Sequence, residues 1–136
     1  MSTYVSATLR KQVIERADSR CEYCRFSQSV TLLAFEMEHI ISEKHGGTTT
    51  LENLALACPY CNRAKGTDLG SIDPATNQLT PFFHPRTQIW QAHFILSGAT
   101  ILPQTPEGRV TALILQFNHP DRIQERAGLI TIGQYG

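Results

Sequence analysis

Apolar residues along the chain change their spacing several times, and each change predicts an element. Leu9, Val13, Ile14 and Ala17 recur at helical intervals behind Ser6, a residue suited to cap a first turn. A helix is expected there, ending near Asp18-Ser19, with Arg10, Lys11, Arg16 and Arg20 over much of its remaining surface. Residues 30–35 are β-branched or bulky and apolar, which predicts a short strand. A further extended stretch is expected to carry Met37 and Ile40 inward, with Glu38 and His39 at its end. Gly46-Gly47 lies in a loop over residues 42–50, closed by a short strand at 54–57. Pro59 suits the first position of a following helix, where its missing N–H has no helical partner, and Gly66 suits its end.

Downstream, residues 70–85 are rich in turn formers and read as a connector. Residues 88–96 and 100–102 are expected to be strands about Ser97-Gly98, a hairpin. Thr105-Pro106-Glu107 starts a helix carrying Val110, Leu113, Ile114 and Phe117, terminated near Asn118-His119-Pro120. A last helical segment over residues 121–127 closes before Gly128. The mixture of short strands and helices defines an α+β class.

Length and charge narrow the possibilities. A chain of 136 residues is most economically one domain, 1–136, with a modest core. Formal net charge is zero, so there is no bulk positive field of the kind a nucleic-acid coat protein needs. Any affinity for a polyanion must come from local clusters or bound cations. Met1-Ser2-Thr3-Tyr4-Val5 lacks an export-signal core, and no apolar run is long enough to span a bilayer. A cytoplasmic, non-membrane protein is expected.

In that compartment thiols stay reduced, which argues against disulfides for Cys21, Cys24, Cys58 and Cys61. Two Cys-x-x-Cys pairs turn four sulfurs toward one centre, the arrangement of a closed structural zinc site. Four unliganded buried cysteines are the bland alternative, and neither pair sits in the βαβ setting of a redox motif. Between the pairs lie Glu38, His39 and Asn53, and Asn62 follows the second pair directly. Hydrolysing a phosphodiester needs an activated water and neutralisation of charge on the phosphoryl and leaving oxygens. A hard ion such as magnesium takes oxygen ligands and keeps several waters, so one carboxylate and one amide suffice from the protein. Glu38 and Asn62 supply them, and a neutral His39 is left to take the proton of the water.

The run Glu38-His39-Ile40-Ile41, Gly46-Gly47, Asn53-Leu54, Cys58-Pro59-Tyr60-Cys61-Asn62 and Lys65-Gly66 resembles the cysteine-containing HNH endonucleases. The resemblance implies a ββα-metal (His-Me finger) core over about 18–70, with an N-terminal helix and a C-terminal extension, about 71–136, of a hairpin and helices. By position, His39 corresponds to the general base and Glu38 and Asn62 to ligands of the catalytic ion. Asn53 corresponds to the residue that tethers the loop and orients the base. The four cysteines correspond to structural zinc ligands. Glu38 stands where many members have aspartate, and Ile41-Ser42 replaces a common proline position. Arg63 and Lys65, on the helix of Asn62, are expected to contact phosphates of a DNA substrate. The alternatives are a non-catalytic zinc-stabilised nucleic-acid-binding module and a zinc-built protein-interaction domain.

Overall fold

The computed structural model describes residues 4–135; residues 1–3, on which the expectation about export in part rests, and residue 136 lie outside them. The described residues form a small mixed α/β fold of five helices and three two-stranded antiparallel sheets. Helix α1 (Ala7–Arg16) starts as expected, with the Ser6 hydroxyl accepting from the Leu9 N–H at 3.2 Å and Val13 fully buried. Strands β1 (Glu36–His39) and β2 (Leu54–Ala57) pair with Glu38 opposite Ala55 and His39 opposite Leu54. Every residue of β2 is buried, because the strand is covered on both faces. Helix α1 packs against β2, and α2 (Pro59–Lys65) packs against β1.

The first cysteine turn is sewn to this pair. Glu22 exchanges bonds with Leu56, its N–H donating to the Leu56 carbonyl and its carboxylate accepting from the Leu56 N–H, both at 2.8 Å. Arg16 donates from α1 to the carbonyls of Leu51 and Leu54 at the entry to β2.

Beyond α2 come β3 (Gly70–Ile72) and β4 (Leu79–Pro81), then α3 (Trp90–His93). Strands β5 (Phe94–Ser97) and β6 (Thr100–Pro103) form the expected hairpin, followed by α4 (Pro106–Ile114) and α5 (Pro120–Thr131). Phe94, Ile101, Val110, Leu115 and Phe117 join Val13, Tyr23, Leu54 and Leu56 in a single apolar cluster.

Several expectations need correction. Residues 30–35 are not a strand. A 3-10 turn, Gln28–Val30, precedes an exposed loop in which the Thr31 hydroxyl accepts from the Leu33 N–H, a local bond that competes with pairing. The connector at 70–85 contains the small β3–β4 sheet. Residues 90–93, expected to be extended, form one helical turn in which the Trp90 indole N–H is anchored on the Tyr23 carbonyl at 2.7 Å. Helix α4 ends at Ile114, short of Asn118, and α5 runs through Gly128 to Thr131, with Gly133 at φ 71 just past its end.

Candidate active site

The side chains of β1 determine what this site can do. Alternation turns Glu36 and Glu38 toward α2, where Glu36 meets Asn62 and Glu38 meets Lys65. Helix α2 therefore runs in the same sense as β1. Glu38 faces inward where Met37 was expected to, and Met37 is only partly covered. One Glu38 oxygen lies 2.5 Å from the Lys65 ammonium, and the other accepts from the Tyr23 hydroxyl at 2.7 Å. Burial pushes the Glu38 carboxyl pKa up, against the opposing pull of Lys65 and the Tyr23 bond. Tyr23 is raised as well, first by its own burial and then by the Glu38 charge.

Lys65 is 2 % exposed, so it is not the surface phosphate contact expected of it. Its ammonium is taken up by Glu38, by the Ile40 carbonyl at 2.8 Å and by the His39 carbonyl at 3.5 Å. Lys65 instead holds the end of β1 and the turn after it. Arg63, two residues earlier, is exposed.

His39 and Asn62, with Met37, Glu38, Ser42 and Lys44, line a cleft of about 440 Å³. The His39 Nε2 sits 2.9 Å from the Thr49 hydroxyl, which fixes the ring against the loop. That loop is clamped by Asn53. Its Oδ1 accepts from the Ile41 N–H at 2.9 Å, while its Nδ2 donates to the carbonyls of Ile41 and Thr48 at 2.9 and 2.8 Å. Gly47 is needed in the same loop, because a Cβ there would collide with the Ile41 carbonyl oxygen. Asn53, at 7 % exposure, therefore anchors both sides of the loop beside His39.

Behind the cleft the two cysteine turns converge. All four sulfurs are buried and lie within 4.8 Å of one another. A tetrahedral zinc with Zn–S bonds of about 2.3 Å separates its sulfurs by roughly 3.8 Å; Cys24 and Cys58 stand 3.7 Å apart. The donor set and spacing fit structural zinc and are far too wide for a disulfide. The Cys58 sulfur also accepts from the Cys61 N–H at 3.4 Å, capping α2. The pattern of thiol pKa values is uneven: burial lifts Cys21 and Cys61, while hydrogen bonds from the other three thiols pull Cys24 down.

Sequence reasoning singled out the four cysteines, which the structure brings together, and Glu38, His39 and Asn62, which line one cleft. It missed Glu36, Tyr23 and the buried role of Lys65. Strand alternation was the available signal for Glu36, since it shares a face with Glu38. Nothing local marked Tyr23, which lies inside the first knuckle and reaches Glu38 only through the fold.

The structure thus holds a buried four-cysteine cluster that fits structural zinc, and a cleft lined by His39, Asn62 and Glu38. Residues 21–68 match the family model described as HNH endonuclease. No curated protein and no solved structure matches the chain. The matched family is one of nucleases, and its span contains all four cysteines together with Glu38, His39, Asn53 and Asn62. Among the described residues no helix is long and apolar enough to cross a membrane.

Proposed function

We propose that the chain is a metal-dependent endonuclease that hydrolyses DNA phosphodiester bonds, with β1, β2 and α2 as its ββα-metal core. The observation that supports this most is the meeting of His39 and Asn62 on one cleft, beside a loop clamped by Asn53. His39 takes the proton of the attacking water, and its ring is held by Thr49 for that purpose. Asn62 and Glu38 are the residues that the family pattern assigns to a magnesium-like ion. Both Glu38 oxygens are engaged by protein groups, and Glu36 beside Asn62 is a second carboxylate for the same ion. When bound, the ion supplies Lewis-acid charge toward the phosphoryl and leaving oxygens. Arg63, exposed on the catalytic helix, contacts a phosphate next to the scissile bond.

The test is plasmid nicking and cleavage with magnesium, manganese or nickel. His39→Ala is expected to abolish divalent-dependent cleavage while far-UV circular dichroism and zinc content stay at wild-type values. A wild type that binds DNA but cleaves with none of these ions supports the non-catalytic module instead.

A further inference from the structure

We infer that Arg122, on α5, is the counter-cation of the zinc–thiolate centre, a positioning residue through which the C-terminal helices hold the metal and the start of α2. Four thiolates around one divalent zinc leave a net charge of about −2. Burying such a charge is costly unless donors and cations face it. The knuckle amides contribute weakly, with the Cys24 N–H 3.5 Å from Cys21 and the Cys61 N–H 3.4 Å from Cys58. Arg122 brings a full positive charge: its Nη2 donates to the Cys61 sulfur at 3.3 Å and lies 3.8 Å from that of Cys58.

The guanidinium is built in rather than resting there. Arg122 is 8 % exposed, and its Nη1 donates to the carbonyls of Leu115 and Gln116 at 2.7 and 3.2 Å. Tyr60 and Phe117 present their rings 5.4 and 5.9 Å from the guanidinium carbon. One nitrogen is thus aimed by the turn after α4 while the other reaches the sulfurs, a division of labour that suits a planar fork and not a lysine ammonium. The neighbouring Arg126 turns elsewhere, to the carbonyls of Ala99 and Phe117. The extension also grips the first knuckle, through Trp90 on the Tyr23 carbonyl and Tyr135 on the Cys24 carbonyl, each at 2.7 Å. Because Asn62 follows Cys61, the Arg122 contact reaches the catalytic helix at its first turn.

The experiment uses the full zinc-loaded chain and three variants, Arg122→Met, Arg122→Lys and the exposed control Lys11→Ala. Zinc release to a chromogenic chelator is expected to be about 10–100-fold faster in both Arg122 variants, the range seen when a partner of a metal ligand is lost. Lys11→Ala should release zinc at the wild-type rate. In cobalt-loaded protein, Arg122→Met is expected to move the thiolate-to-metal charge-transfer band to lower energy, since a sulfur without its donor gives up electrons more readily. Unchanged release, or a band that does not move, overturns the proposal. If both variants fail to fold, hydrogen exchange on the wild type decides it. Chelation should strip protection from the first turns of α5 together with residues 58–61, and α5 protection that survives zinc removal overturns it. A wild type that holds no zinc overturns it too.

Discussion

Glu38 and Lys65 set the terms at the scale of single residues. They form an ion pair with both members almost wholly inaccessible, so removing one leaves the other as an uncompensated buried charge. Lys65→Met is expected to cost about 3–5 kcal/mol of stability, measured by urea unfolding, with Glu38→Leu/Lys65→Met recovering much of the loss. The same crowding around Glu38 bears on the catalytic ion proposed above. Manganese affinity, read by electron paramagnetic resonance, separates the two carboxylates. Loss in Glu36→Gln with retention in Glu38→Gln assigns the ion to Glu36, and the opposite outcome assigns it to Glu38. Asn53→Ala removes three side-chain bonds to the backbone of Ile41 and Thr48 and is expected to cost about 1–3 kcal/mol of stability. Cleavage should fall with it, because His39 loses the loop that carries Thr49. The intervals that single out His39, Asn53 and Asn62 were legible from the sequence, because residue types and spacings are local facts; their catalytic roles belong to the function proposed above. The fate of Lys65 was not, since a lysine beside an exposed arginine on a short helix reads as surface until β1 is laid against it.

At the scale of elements, the β3–β4 turn shows how a segment read as a connector acquires order. Asp73 accepts from the Ala75 N–H and the Thr76 hydroxyl, and its two oxygens receive the Arg109 guanidinium of α4 at 2.9 and 2.8 Å. The Arg109 bonds hold the Asp73 carboxyl far below the usual carboxylate range, although burial opposes them. A carboxyl depressed in the folded state contributes stability above its unfolded pKa, about 3.9, and loses that contribution as pH falls further. Melting curves should therefore show Asp73→Asn less stable than wild type at neutral pH, with the gap narrowing below about pH 4. The helix starts were legible, as Ser6, Pro59 and Thr105 occupy the positions expected of them. Helix ends and short strands were less so. Gly128 did not stop α5: Arg122 and Arg126 anchor the helix to the core ahead of it, and the helix runs on to Thr131. Residues 30–35 had a strand's composition, but a local bond from the Leu33 N–H to the Thr31 hydroxyl stands where pairing was expected.

For the whole molecule, the apolar cluster draws on both the matched segment and the residues after it. We propose that the chain folds as the one unit expected of it. A chain cut after residue 70 loses Arg86, Trp90, Arg122 and Tyr135, side chains that grip the knuckles. It is expected to hold zinc poorly and to lack cooperative melting by calorimetry, where the full chain melts as one transition. Stripping zinc from the full chain should lower its melting temperature in the same assay. The acid–histidine–asparagine constellation was visible in a third of the chain, whereas what braces it lies in residues that no local motif connects to it.

Cys58 carries this dependence to the start of α2. Its sulfur is both a member of the thiolate cage and the acceptor that caps α2. A helix of seven residues is too short to persist by itself in water. Ligation and helix capping thus meet at one atom, so zinc binding is expected to steady the start of α2 and the position of Asn62. On the function proposed above, losing the scaffold ion should then cost activity at a distance from the reacting atoms.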